Sequence, residues 1–292
     1  MTGWTLGIIG GSGLYRIDGL ENVRTEMVET PWGAPSDAIT MGEISGVTLC
    51  FLPRHGQGHS IPPDAINYRA NIDALKRLGC TDIVSLSACG SLREDYAPGD
   101  FVLVDQYVDR TSGRARSFFG AGCVAHVALA DPVCPRLAGL AADAAEAAGA
   151  RTHRSGTYLA MQGPQFSTRA ESDLYRQWGC DVIGMTNMPE ARLAREAELP
   201  YASVCMVTDY DSWKRGEAGV DVQAILKVMA ANTGKAQALV RALAATLASR
   251  SRTPSPSGAE TALDGAILTA PSARDPAVLA RLDAVAGRVL TG

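Results

Sequence analysis

The stretch Asn67-Tyr-Arg-Ala-Asn-Ile-Asp-Ala-Leu-Lys-Arg-Leu78-Gly79-Cys-Thr-Asp82-Ile-Val-Ser-Leu-Ser-Ala88-Cys-Gly-Ser91 decides the fold. Its first part places Tyr68, Ile72, Leu75 and Leu78 at three- and four-residue steps, which predicts an amphipathic helix over 67–78, and Gly79 supplies the stop. Its second part, 82–88, is a short run without polar alternation and reads as a strand buried on both faces. Strand-like runs recur at 6–10, 48–53, 101–108, 157–161, 181–185 and 202–209, with helical patterns at 135–148 and 190–199. This alternation predicts a single α/β domain with a central mixed, largely parallel β-sheet flanked by helices. Beyond Asp209 the pattern turns helical: 222–247 reads as one long helix or two joined near Gly234, and 276–290 as a last helix. The expected division is one domain over 1–248, an exposed linker-like loop over 249–258, and a strand and helix over 259–292 packed on the domain or on a neighbouring subunit.

Composition narrows the function classes. With 292 residues, 46% of them apolar and 20% charged, the chain has the make-up of a globular protein, and no apolar run approaches the roughly 18 residues of a membrane helix. We expect neither a signal peptide nor a membrane span. The balance of 27 basic and 31 acidic residues, a net charge of −4, argues against nucleic acid or an anionic membrane as partner and favours a small molecule. Seven cysteines, an odd number without a C-x-x-C pair, point to reduced thiols in a cytoplasm, and their dispersal argues against a metal site.

Five segments carry candidate chemistry. Gly10-Gly-Ser12-Gly13 follows a strand and can offer backbone N–H groups and a hydroxyl to an anion, or form a mere tight turn. Arg16 stands where a dinucleotide fingerprint needs its third glycine, and no P-loop ending follows. Pro53-Arg54-His55-Gly56 offers a guanidinium fork suited to phosphate and an adjacent imidazole donor, against the alternative of a solvated loop. Ser87-Ala88-Cys-Gly-Ser91 places small residues and hydroxyls at a strand's carboxyl end, where open α/β sheets bind ligands. Gly163-Pro-Gln-Phe166-Ser167, with Met185-Thr186 at another strand end, presents a ring that either stacks on a flat base or fills core. In Thr208-Asp209-Tyr-Asp211 two carboxylates two residues apart point the same way if the chain is extended; close together they raise one another's pKa, so one can act as a general acid.

Taken together, these segments resemble the 5′-methylthioadenosine phosphorylases of the trimeric purine nucleoside phosphorylase superfamily. The matching stretches run in order over about residues 6–248. They include Gly7-Ile-Ile-Gly-Gly-Ser-Gly-Leu14, Arg54-His-Gly56, Ser87-Ala-Cys-Gly-Ser-Leu-Arg93, Asp109-Arg-Thr111, Gly163-Pro-Gln-Phe-Ser167, Arg169-Ala-Glu-Ser172, Pro189-Glu190 and Thr208-Asp-Tyr-Asp211.

The resemblance implies a pentosyltransferase that cleaves the N-glycosidic bond of 5′-methylthioadenosine with inorganic phosphate as co-substrate, without metal or other cofactor, as a cytoplasmic homotrimer. Position by position, it implies a phosphate site at Ser12, Arg54, His55, Ser87, Ala88 and Thr186, and a ribose contact at Met185. Phe166 and Ser167 would line the base pocket, with Asp209 and Asp211 as the carboxylates facing adenine. Val222 would face the 5′-substituent, and His126 would serve a neighbouring subunit's site. Serine instead of the 6-oxopurine enzymes' glutamate at 167, and Asp209 instead of their asparagine, favour a 6-aminopurine. A 6-oxopurine or methylthioinosine phosphorylase, and a non-catalytic nucleoside-binding protein, are the alternative readings.

Overall fold

The computed structural model describes residues 3–11, 17–214 and 222–290. The strands are β1 (Thr5–Gly10), β2 (Glu21–Glu26), β3 (Ile39–Ile44), β4 (Val47–Pro53), β5 (Asp82–Ser91), β6 (Phe101–Val104), β7 (Gln106–Asp109), β8 (Thr152–His153), β9 (Thr157–Ala160), β10 (Val182–Gly184) and β11 (Tyr201–Asp209). The helices are α1 (Tyr68–Arg77), α2 (Pro135–Ala147), α3 (Arg169–Gln177), α4 (Asn187–Glu196), α5 (Val222–Ala248), α6 (Pro276–Arg281) and α7 (Asp283–Leu290). Helix α1 starts where Asn67 accepts a hydrogen bond from the Ala70 amide, and α3 starts on a capping box between Thr168 and Glu171.

The strands form one mixed sheet in the order β2-β3-β4-β1-β5-β10-β9-β7, with β11 on the other edge of β5 and β6 and β8 beyond it. As expected, the ladders are largely parallel: β1 with β4 and β5, β11 with β5, β9 with β10 and β7, and β6 with β8. Alternate residues of the central strands feed opposite cores. Ile9 and Ile83 join Ile72, Leu75 and Leu193 under α1 and α4. Ile8, Val84 and Leu86 join Leu137, Leu239 and Leu243 under α2 and α5.

Strand β5 organises the molecule because its two edges are used differently. Along one edge β11 follows it from Ile83 to Gly90. Along the other, β1 pairs from Asp82 to Ser85, and β10 takes over antiparallel at Gly90 and Ser91. Residues 86–89 therefore lie in a fork between β1 and β10 and have no strand partner on that edge among the described residues. Backbone groups in such a gap need other partners, which makes the fork a natural ligand crevice.

Several elements differ from expectation. The 101–108 run divides at Asp105, whose amide donates to Gly156 O, so β6 joins β11 while β7 joins β9. The 222–247 pattern is one helix that runs through Gly234. The 276–290 pattern breaks into α6 and α7 around Leu282, which is fully buried. The expected C-terminal strand reduces to an isolated bridge between Ile267 and Ala125, because neighbouring bonds from Leu268 N to Val124 O and from His126 N to Ala266 O do not extend into a ladder. The sequence reading did not foresee β2, β3, β8 or α3; in α3 only Ser172 and Tyr175 are buried, too few apolar positions to show a period.

The 249–258 loop is mostly exposed yet tied down. Arg250 O accepts from Trp4 Nε1 at 2.9 Å, and Arg252 reaches Asp82 at 2.7 Å and Glu260 at 2.8 Å. Residues 259–290 pack back on the domain through two arginine contacts. Arg77 on α1 grips Asp283, and Arg288 on α7 grips Glu198, which also accepts from Leu263 N at 3.0 Å. No helix of the described residues is long and apolar enough to cross a membrane. Replacing Glu198 by alanine strands the buried Leu263 amide and frees Arg288. It should cost about 1–3 kcal/mol, read by urea denaturation, and should speed proteolytic cutting within 249–275.

Candidate active site

The fork in β5 gathers the expected anion-binding residues. Arg54 follows β4, and its amide donates to Gly10 O at 3.0 Å, which sets it at the mouth of β1. The residue is 2% exposed, and one N–H of Nη1 alone has no acceptor among the described residues. Nε and Nη2 bind the two carboxylate oxygens of Glu190 at 2.8 and 3.1 Å, Nη2 reaches Ser85 Oγ at 2.5 Å, and Nη1 reaches Leu86 O at 3.3 Å. Glu190 also accepts from Tyr201 Oη at 2.8 Å. The Glu190 carboxylate outweighs the effect of burial and raises the pKa of Arg54 further above its ordinary value, so the cation is permanent.

Ser87 sits in the fork and donates to Asn187 Oδ1 at 3.1 Å, and Asn187 Nδ2 in turn donates to Ser203 Oγ at 2.5 Å. Ala88 follows it on β5. Thr186 immediately precedes α4 and makes no side-chain capping bond, while its amide faces Tyr158 Oη at 3.4 Å. The sequence reading assigned His55 a donor role, and the structure revises this. Burial, then the charge of Arg54, lowers its pKa to about 4, so the ring is neutral at pH 7. Its Nδ1 lies 2.9 Å from Ile61 O and must carry the proton, which leaves Nε2 as an acceptor. Ser12, the remaining expected member, lies outside the described residues, as does the side chain of Val222.

At the carboxyl end of β5 the second group assembles. The register of β11 shifts between Val207 and Asp209, a bulge at Thr208 that sets Asp209 opposite Gly90. A Cβ at Gly90 would lie 3.0 Å from Asp209 Oδ1, so glycine lets the carboxylate seat against the strand. Asp209 Oδ1 accepts from the Asp211 amide at 2.8 Å, and Oδ2 lies 2.7 Å from Thr208 Oγ1. Thr208 Oγ1 also lies 3.1 Å from Cys89 O. One hydroxyl proton cannot serve both acceptors fully; both contacts become good hydrogen bonds when Asp209 itself holds a proton.

The two carboxylates meet by a route other than the extended geometry expected. Asp211 has left the strand and stands at φ 50°, a left-handed conformation sustained by its amide bond to Asp209. Its Oδ1 accepts from Ser167 Oγ at 3.3 Å, while Oδ2 is buried without a partner among the described residues. Burial raises the pKa of both residues; the charge of Asp211 adds a minor rise at Asp209, while at Asp211 the minor rise comes from Glu171 instead of the expected partner.

The 163–167 loop closes the same end. Gly163 has φ 66°, and a Cβ there would come within 2.5 Å of Met185 Sδ, so the loop can lie on Met185 only with glycine at this point. Phe166 is 43% exposed and packs into no core, which leaves its ring free for a ligand. His126 stands apart, exposed on the 120–127 segment and without a hydrogen bond to the cleft residues among those described. No group of three or more His, Cys, Asp or Glu side chains among the described residues is arranged to hold a metal ion. Glu190, Asn187, Tyr201 and Thr208 had no role in the sequence reading; a glutamate after Met188-Pro189 in a segment that turns out wholly buried was the one available signal.

Residues 5–245 match the phosphorylase superfamily. The chain is 61% identical over 98% of its length to the S-methyl-5′-thioadenosine phosphorylase of Cereibacter sphaeroides, covering 99% of that protein. It is 58% identical over its whole length to the protein of the same name from Bradyrhizobium diazoefficiens, again covering all of it. Its fold superposes on a methylthioadenosine phosphorylase crystal structure from an antarctic soil metagenomic library with a TM-score of 0.91, at 46% identity and with 98% and 99% of the two chains covered. A variant of the adenosine/methylthioadenosine phosphorylase from Schistosoma mansoni, solved in complex with methylthioadenosine, matches at a TM-score of 0.80 and 38% identity over 85% of this chain and 93% of that one.

Because Arg54 is buried against Glu190, Glu190→Gln leaves a cation without its counter-charge. The variant should lose about 3–5 kcal/mol of stability, measured by thermal or urea unfolding. Replacing Arg54 and Glu190 together by methionine should not restore that loss, because the Leu86 carbonyl and the Ser85 and Tyr201 hydroxyls then lose their partners.

Proposed function

The chain belongs to the phosphorylase superfamily, and from that premise we propose that it is a pentosyltransferase: it cleaves 5′-methylthioadenosine with inorganic phosphate, giving adenine and 5-methylthioribose 1-phosphate. The observation that carries this reading is the arrangement along β5. The anion cluster at Ser87 and Ala88 and the carboxylate pair at Gly90 are two to three residues apart, about 7–10 Å at the usual rise of a strand, which leaves room for a ribose between a bound phosphate and a bound purine.

The proposed division of labour joins this geometry to the family resemblance. Arg54, the Ala88 amide, Thr186 and Ser12 hold the phosphate. Neutral His55 offers Nε2 as an acceptor, which suits the hydroxyl of hydrogen phosphate. Ser87 donates a hydrogen bond to Asn187 Oδ1 and can turn that hydroxyl to phosphate. Met185 lies against the ribose and Phe166 against the base. The unpartnered Oδ2 of Asp211, with Ser167 beside it, suits the donor hydrogens of a 6-amino group.

Phosphate attacks C1′ as the glycosidic bond lengthens, and negative charge collects on the departing purine. Burial raises the pKa of Asp209, and in its protonated form the Oδ2–H turns from Thr208 to N7 and stabilises that charge. The phosphate oxygen takes C1′ and the base keeps the bonding electron pair, so atoms and electrons balance without an enzyme nucleophile. Fixed donors and a held phosphate supply orientation and electrostatic stabilisation.

Two finer proposals accompany this one. A homotrimer is supported by His126, Val124 and Leu268, exposed side by side on a surface suited to a second subunit, which His126 would serve. The cytoplasm is supported by seven cysteines that are all free and buried.

Adenine release from methylthioadenosine should require added phosphate; equal release in phosphate-free buffer would defeat the reading. Asp209→Asn should lower kcat by about 10²–10⁴-fold. Since the protonated carboxyl is the active form, wild-type turnover should fall as pH rises through the raised pKa of Asp209, and that limb should vanish from the variant's profile. Methylthioinosine, whose 6-oxo group cannot donate to Asp211, should be a substrate poorer by about 10⁴-fold or more.

A further inference from the structure

Arg114 is a buried arginine at this site whose partners, unlike those of Arg54, include no carboxylate. It is 8% exposed, on the segment after β7. Its Nη2 donates to Gln162 O at 2.7 Å, and its Nη1 lies 2.6 Å from Met185 O, 2.9 Å from Met188 O and 3.1 Å from Tyr68 Oη. Gln162 opens the loop that carries Phe166 and Ser167. Met185 and Met188 bracket Thr186 and Asn187, the phosphate-side residues. Tyr68 begins α1 and is itself fixed by a 2.8 Å bond to Pro63 O. One guanidinium thus joins the base-side loop, the phosphate-side segment and a core helix.

The segment around Arg114 is held on both sides. Asp109 accepts from the Thr111 amide at 2.9 Å and hydroxyl at 2.6 Å, and its other oxygen accepts from Arg192 at 2.8 Å. The Ser112 amide donates to Gln162 Oε1 at 2.8 Å, and Glu196 accepts from Ser117 Oγ at 2.8 Å and the Phe118 amide at 2.7 Å. Burying a cation against carbonyls costs stability that an apolar side chain would not, so its retention points to positional work. The fork geometry of guanidinium is what lets a single side chain meet diverging carbonyls, and lysine cannot reproduce it.

We propose that Arg114 is a positioning residue that fixes the purine-binding loop against the phosphate-binding segment, and so sets the span across which phosphate and glycosidic carbon must meet. It touches neither ligand; it acts through the carbonyls of Gln162, Met185 and Met188. The proposal rests on the phosphorylase reading above. Each half-site should survive loss of Arg114, because the Asp209, Asp211 and Ser167 contacts and the Arg54 contacts do not pass through it, whereas the alignment between them should not.

The test uses the full chain as wild type, Arg114→Lys and Arg114→Ala. For each, kcat and both KM values for methylthioadenosine and phosphate are measured, with the affinity for adenine alone by calorimetry and the unfolding temperature. Arg114→Lys should bind adenine as the wild type does yet lose about 10²-fold in kcat, the scale of a misplacement near 1 Å. Guanidinium chloride, at concentrations that leave the unfolding temperature unchanged, should restore turnover to Arg114→Ala, and sodium chloride should not. A lysine variant with wild-type kcat overturns the proposal, as does parallel loss of adenine binding and turnover without guanidinium rescue, which would mark a merely structural role. A wild type that does not phosphorolyse methylthioadenosine overturns the functional reading itself, and with it this one.

Discussion

Strand β5 has one edge that is asked to serve two neighbours, and the rest of the molecule follows from that constraint. Since β1 runs parallel and β10 antiparallel to it, no single hydrogen-bond pattern can continue along that edge, and the sheet must split between Ser85 and Gly90. The split would expose backbone polar groups in the middle of a hydrophobic core. Arg54 answers this by reaching across from β4 to the carbonyls of Leu86 and Ile9 and to Ser85, while Glu190 on α4 balances its charge. The ion pair closes the base of the fork and leaves its mouth open.

The same fork explains why the site can be rigid at one end and adjustable at the other. Its floor is made of strand residues and the Arg54 guanidinium, whose partners are fixed on β1, β5 and α4. Its far end is made of turns: the bulge at Thr208, the left-handed Asp211, and the 163–167 loop lying on Met185. In the proposed reading, fixed donors at the floor suit phosphate, an anion of constant shape, and loop-borne acceptors at the far end discriminate among bases through a few side chains.

How much of this the sequence revealed depended on whether the signal was local. The helix over 67–78, the buried run at 82–88 and the clustering of ligand-type residues at strand ends are properties of adjacent residues, and they placed the site at the carboxyl ends of the parallel strands. What stayed hidden depended on partners far along the chain. Nothing near Arg54 indicates Glu190, more than a hundred residues away, and nothing near His55 indicates that Ile61 O would take its donor. The Asp209 and Asp211 pair was legible as a pair, but its extended geometry was not, since a bulge and a positive φ have no period to read. Arg114 escaped for a related reason: the Asp109-Arg-Thr111 match stops short of it, and its partners are backbone carbonyls, which carry no side-chain signature.

The bridge between Ala125 and Ile267 has a consequence for how the chain comes to be folded. Val124 and His126 take their backbone partners among the described residues from 266–269, which leave the ribosome long after them, and Gly122 waits for Asp275 in the same way. The sheet core through β11 can assemble while synthesis continues. The rim that bears His126 cannot, so subunits that would meet across it stay unready for one another until nearly the whole chain has emerged.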